Sequence, residues 1–150
     1  MPSPRTSQPT SQAPVEGLAD RRLDTTVREL MSPGAITVSE DASMRQAERA
    51  MTRHGVHAIL ILGRAGRPLG WVTARGLLTS LVQDRALVPA SSCVTEIPTY
   101  IDPSATAREA MQALAEPGVS HLLVSRVPGE PPQGVVSDLD LVALLSTERR

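Results

Sequence analysis

The chain is written twice. Gly55-Val-His-Ala-Ile-Leu-Ile61 returns as Gly118-Val-Ser-His-Leu-Leu-Val124, 63 residues later (55 to 118), and the same shift carries Ala47 onto Ala110, Ala50 onto Ala113, Met51 onto Leu114 and Val38 onto Ile101. One inserted residue further on, Gly70-Trp-Val-Thr73 meets Gly134-Val-Val-Ser137 at a shift of 64 (70 to 134). Self-similarity at a fixed period is the signature of one supersecondary unit repeated, and two copies of about sixty residues account for nearly all of the chain beyond its Pro-, Ser-, Thr- and Gln-rich beginning. The fold must therefore be one that a single short unit can build by pairing with itself. Residues 1–24 are expected to be a disordered tail, because they carry almost no periodic apolar pattern. The copies are then placed at 25–84 and 93–147, with 85–92 as the linker.

Within each copy the periodicities spell the same order. A short strand (Ala35 to Val38, and Thr99 to Ile101) leads through a polar turn into a helix. Its apolar positions, Met44, Ala47 and Met51 in one copy and Ala107, Ala110, Met111 and Leu114 in the other, recur at helical spacing. Ser43 with Gln46, and Thr106 with Glu109, have the spacing of capping boxes, in which the hydroxyl satisfies a free backbone N–H. Gly55 and Gly118 are placed to end these helices in the left-handed conformation. Val56 to Leu62 and Val119 to Val124 read as buried strands. Leu69 to Thr73 and Gly134 to Ser137 form a further strand in each copy. The closing helices are expected to bury Leu77, Leu78 and Leu81, or Leu141, Val142 and Leu145. The fold class is α/β (α+β), two β-α-β-β-α units.

Composition narrows the function chiefly by exclusion. The 41% hydrophobic content suffices for a core, but Phe is absent and Trp71 and Tyr100 are the only large rings, so that core is aliphatic. A net charge of −1 offers no broad attraction to nucleic acid or to anionic lipid. Every Lys/Arg position is Arg, which removes the P-loop lysine, Schiff-base chemistry and any catalytic ammonium. A single Cys93 permits no internal disulfide and no paired-cysteine zinc site, and His54, His57 and His121 do not form a metal-binding motif. Neither G-x-S-x-G nor G-x-G-x-x-G occurs. No apolar run is long enough to span a bilayer, and the first residues lack the apolar stretch of a signal peptide. No catalytic residue, resident cofactor or metal is expected, and a cytoplasmic setting fits best.

The pattern Met-Ser-Pro-x-x-Ile-Thr-Val, a helix with Ala and Met, His-Gly-Val-x-x followed by four apolar residues, then Gly, two apolar residues, Ser or Thr, and an Asp three residues on resembles the CBS domain. Two in tandem form a Bateman module, and the resemblance covers about residues 25 to 147. It implies that the copies pack sheet against sheet about a pseudo-two-fold axis, leaving two clefts that commonly bind AMP, ADP, ATP or S-adenosylmethionine. It also implies frequent dimerisation, here a homodimer, and a regulated protein partner.

The chemistry then concentrates on Ser137-Asp-Leu-Asp140. A strand that ends in Ser and opens a helix offers backbone N–H groups to a negative group. Ser137 can donate a hydroxyl hydrogen bond, and Asp140 can accept both hydrogen bonds of a ribose diol. The same four residues are equally a plain capping box that needs no ligand. By resemblance the base would lie against Ile36, Val56 and His57 of the other copy, with Val135 supporting the sugar. The first copy departs from the pattern, since Thr73-Ala-Arg-Gly76 has Gly where the ribose-binding Asp would stand. The cleft built on Thr73, Thr99, Val119 and Ser120 is therefore expected to be degenerate, with Arg75 either solvated or reaching a phosphate. Trp71, in the copy without the Asp, is expected to fill space that a ligand occupies elsewhere. Two functions follow: a sensor of an adenosine-type ligand, or a structural dimerisation or adaptor module whose clefts have decayed.

Overall fold

The computed structural model describes residues 21–146. Residues 1–20, most of the expected tail, lie outside the described residues, as do 147–150. In chain order the elements are α1 (Val27–Leu30), β1 (Ser32–Pro33), β2 (Thr37–Ser39), α2 (Met44–His54), β3 (Ala58–Leu62), β4 (Pro68–Thr73), α3 (Ala74–Val82), β5 (Tyr100–Ile101), α4 (Ala107–Leu114), β6 (His121–Val124), β7 (Gly134–Ser137) and α5 (Asp138–Leu145). Short 3-10 turns occupy Arg64–Gly66 and Ala90–Cys93. No helix among the described residues is long and apolar enough to cross a membrane.

Each copy contributes a parallel pair extended by an antiparallel hairpin. In the first copy β2 runs parallel to β3, and β3 pairs antiparallel with β4; in the second, β5, β6 and β7 repeat the arrangement. The helix between the parallel strands is the crossover that such pairing requires. Both expected capping boxes open their helices, Ser43 with Gln46 on α2 and Thr106 with Glu109 on α4. Gly55 closes α2 with φ 63° and ψ 39°, the left-handed geometry that a residue without Cβ adopts freely. Gly118 has φ +81° but does not cap α4, which ends at Leu114 with Ala115 as its right-handed cap.

Alternation along the central strands divides the interior into three parts. Ile59 and Ile61 of β3 face α2, packing with Met44, Ala47, Met51, Val72 and Leu77. Leu122 and Val124 of β6 face α4 and α5, with Ala107, Ala110, Val136 and Leu141. The opposite faces, Ala58 and Leu60 against Leu123, close on each other around Trp71, so the two sheets share one apolar seam. Of the residues expected inside the closing helices, Leu77 and Leu141 are buried. Leu78 and Val142 are instead 63% and 58% exposed, because they lie on the outer faces of α3 and α5.

The copies are also interlaced at their leading arms. The segment leading into β2 packs on the second copy: Val27 N–H donates to Ala105 O (2.7 Å), Ala107 N–H donates to Thr25 O (2.7 Å), and β1 pairs antiparallel with β7. The segment before the second copy packs on the first in the same way, Ala90 N–H donating to Ala42 O (2.6 Å) and Met44 N–H to Val88 O (3.1 Å). Val27 accordingly belongs to the second core and Ala90 to the first. The residues read as a linker thus include an integral part of the first copy's core. On the other side, residues 21–23 are helical and Leu23 is buried in the second core, so folded structure reaches into the stretch expected to be tail.

Candidate functional site

The arm exchange and the seam leave two clefts between the copies. One, of about 340 Å³, is lined by the β1 arm (Ser32 to Gly34), Ile36, Gly55, Val56, His57, Ala58 and Trp71 from the first copy's half of the chain and by His121, Val135 and Asp140 from the second. Its size falls within the range of small-molecule sites, and its walls are largely apolar with a few polar groups. Five of the six residues assigned to this site from sequence, Ile36, Val56, His57, Val135 and Asp140, therefore come together. The sixth, Ser137, stands one turn away as the cap of α5.

The start of α5 is held from two sides. Asp138 N–H donates to Ser120 O (3.1 Å), which ties the helix to the strand entering β6. Ser137 N–H donates to Asp140 Oδ2 (2.8 Å) while Asp140 N–H donates to Ser137 Oγ (3.3 Å), a complete capping box. The capping reading and the ligand reading thus share one carboxylate. A carboxylate has about four lone-pair directions, so accepting one backbone N–H leaves capacity for further donors. Asp140 is half-buried at the cleft wall.

The cleft on the other side, about 460 Å³, is lined by Thr73, Arg75, Gly76, Thr79, Ser80, Gln83, Arg85, Cys93, Val94, Thr95, Glu96 and Gly118. It is the larger of the two and lacks a carboxylate at the place that Asp140 holds in the other. Of the four residues assigned to it from sequence only Thr73 lines it; Thr99, Val119 and Ser120 do not. Ser120 is engaged instead by Glu96, an arm residue lining this cleft that sequence reading passed over. Its carboxylate accepts from Ser120 N–H (3.1 Å) and from Ser120 Oγ–H (2.6 Å). Thr73 Oγ1 lies 3.3 Å from Thr95 Oγ1, so these hydroxyls satisfy each other. At Gly76 a Cβ would come within 2.8 Å of Thr95 Cγ2, so restoring a carboxylate there requires Thr95 to move.

Trp71 does not fill that second cleft. It is 2% exposed, sits in the seam and borders the cleft that carries Asp140, with its ring 4.7 Å from the His121 ring and tilted by 31°. Its Nε1 is the one buried side-chain nitrogen or oxygen among the described residues without a hydrogen-bond partner. Repeat alignment makes the pairing intelligible, since His121 occupies the place of Ala58 and Trp71 that of Val135. Burial holds the His121 pKa below its ordinary value, against the opposing influence of Glu96, Asp138 and Asp140, with His57 adding to the depression. No group of three or more His, Cys, Asp or Glu side chains among the described residues is arranged to hold a metal ion.

A duplicated β-α-β-β-α unit, sheets packed face to face with two inter-copy clefts, defines a tandem-repeat module. The CBS domain family model matches residues 27–83 and 90–147, and the chain belongs to the CBS domain family as a tandem pair. Solved structures share the fold at low identity. The CBS-domain containing protein ATU1752 from Agrobacterium tumefaciens is 21% identical over 81% of this chain and 94% of its own, with a TM-score of 0.71. The CBS domain protein PAE2072 from Pyrobaculum aerophilum, solved in complex with AMP, is 22% identical over 83% of this chain and 92% of its own (TM-score 0.70). The CBS domain of a bacterial CNNM/CorC family Mg2+ transporter, in complex with ATP, is 16% identical over 93% of this chain and 99% of its own (TM-score 0.76). No curated protein sequence matches this chain.

Proposed function

We propose that this chain is a non-catalytic regulatory module that senses an adenosine-type ligand in the cleft bounded by Ile36, Val56, His57, Val135 and Asp140. The observation that carries this reading is the pairing of a largely apolar cleft of about 340 Å³ with one carboxylate at a helix start. Apolar walls suit a base, and Asp140 suits the donors of a ribose diol. Related folds solved with AMP and with ATP support an adenosine compound as the class. AMP, ADP, ATP and S-adenosylmethionine all carry that ribose. Occupation would shift the packing of one copy on the other and so act on a partner protein.

A second reading, a structural dimerisation or adaptor module, draws on the other cleft. Gly76 lacks the carboxylate, and Glu96 already satisfies Ser120. These two features support one adenosine site in the module, not two. A thermal-shift series with the four adenosine compounds separates the readings. A ligand that binds only the folded state adds about 2.7 kcal/mol at a hundredfold excess over Kd, so the sensor is expected to melt several degrees higher with at least one of them. No shift with any of the four would leave the adaptor reading standing.

A further inference from the structure

One wall of the Asp140 cleft holds a histidine whose proton position is dictated from behind. Ser120 Oγ lies 2.6 Å from Glu96 Oε2 and 2.8 Å from His121 Nδ1. A serine hydroxyl has a single hydrogen, and a carboxylate can only accept. Ser120 therefore gives its hydrogen to Glu96, and its oxygen is left to accept from His121 Nδ1–H. The network assigns neutral His121 to the Nδ1–H tautomer, with a lone pair on Nε2. Such an outer partner fixes the role of the remaining ring nitrogen, as it does for histidines in other sites. Nε2 has no partner among the described residues; the Trp71 ring, tilted against the same imidazole, borders the same cleft with its indole nitrogen buried.

We propose that His121 is the specificity-determining residue of this cleft, its Nε2 accepting a hydrogen bond from the exocyclic amine of an adenine base. This rests on the adenosine-ligand reading and adds to it the means by which adenine is told from other purines. The amine is the only N–H donor on the adenine ring system, with the acceptor N1 beside it, and it complements the free acceptor that His121 presents on the wall. Hypoxanthine inverts both, presenting a carbonyl and an N1–H. A site that leaves a buried polar group unpaired rejects the wrong analogue more strongly than one that merely fits poorly. Glu96 and Ser120 act as positioning residues, because they hold the proton on Nδ1 and so keep Nε2 an acceptor. Burial, which favours the neutral ring, works in the same sense.

Calorimetry with AMP and IMP, which share sugar and phosphate and differ only at the 6-position and N1, tests this. The full chain is expected to prefer AMP by about tenfold or more, and His121→Ala to bring the two within about twofold, by loss of AMP affinity. Ser120→Ala, which frees the tautomer, should give an intermediate ratio. Lowering the pH through the His121 pKa turns Nε2 into a donor and should narrow the AMP preference in the parent. The groups facing that ring, Glu96, Asp138, Asp140 and His57, are common to both titrations. Imidazole nitrogen resonances supply a measurement independent of mutant stability: the parent should show Nδ1 protonated, with Nε2 shifting on AMP addition. An unchanged AMP-to-IMP ratio in His121→Ala, or equal losses for both nucleotides, would overturn the base-reading role while leaving the adenosine reading intact. An Nε2–H tautomer in the parent would overturn it as well. No binding of either nucleotide by the parent would overturn both.

Discussion

Asp140 serves two partners with one carboxylate, and the consequences of its removal can be divided between them. As a member of the α5 capping box it satisfies Ser137 N–H, and losing such a cap costs about 1 kcal/mol of stability. As a ribose acceptor it would contribute charge-assisted hydrogen bonds of about 1.5–3 kcal/mol, or about ten- to over a hundredfold in Kd. Asp140→Ala is therefore expected to lose most adenosine-ligand affinity while remaining folded with a modest fall in melting temperature. Asp140→Asn, whose amide oxygen can still accept from Ser137, should keep the stability and lose the affinity. Calorimetry beside chemical denaturation reads both quantities, and equal affinity in the parent and Asp140→Ala would remove the residue from the site. Much of this was legible in the residues, because the repeat places Asp140 against Gly76 and so marks one copy as equipped and the other as not. The Trp71–His121 pair and the Glu96–Ser120 contact were not. They join side chains from different strands and arms across the seam, and no local spacing encodes which residues of two sheets will face each other.

At the level of elements, the same division holds between local and long-range information. Helix starts were readable because a capping box is a four-residue interaction, and β3 and β6 because their apolar runs are contiguous. Boundaries slipped where tertiary contacts set them: β3 begins at Ala58 and β6 at His121, two residues later than the apolar runs suggest. Leu78 and Val142 looked internal at sequence level, yet both are exposed on the outer faces of their helices. The exchange of leading arms had no sequence signature beyond its glycines. Gly70 and Gly134 occupy equivalent places in the copies, and each lies where an arm's backbone crosses the sheet. A Cβ on Gly134 would stand 2.5 Å from Ser32 O, and one on Gly70 would stand 2.7 Å from Glu96 O. Gly134→Ala is thus expected to push the β1 arm off β7 and to cost about 1–3 kcal/mol, the range for overpacking a fitted contact. It should also weaken any ligand held under Ser32 to Gly34. Gly118→Ala is the control, since its Cβ meets nothing within 4 Å and only the left-handed backbone resists it. Equal destabilisation by the two substitutions in denaturant titrations would show that the arm crossing is not what Gly134 protects.

At the scale of the whole molecule, large apolar side chains stand exposed among the described residues. On α3, Leu78 and Val82 are 63% and 86% exposed, and they follow one another at i and i+4, on one face. On α5, Leu139 and Val142 are 61% and 58% exposed at i and i+3. These are equivalent helices of the two copies, so the internal duplication repeats an apolar face on each. A second copy of the chain would match both faces at once, because a two-fold contact brings the same patches together from each partner and closes without leaving a free edge. We therefore expect a homodimer that buries the outer faces of α3 and α5. The net charge of −1 supplies little repulsion to oppose it. Leu139→Asp with Val142→Asp places charge on one face without touching Leu141 and the core beneath it. Light scattering over a concentration series should give a dimer mass for the parent and a monomer mass for this variant, with circular dichroism unchanged. Leu78→Asp with Val82→Asp tests the other face, and loss of the dimer in both variants would mean that the two faces act together. A parent that stays monomeric at high concentration would assign these faces to something other than self-association. A dimer that survives all four substitutions would place the contact elsewhere on the molecule.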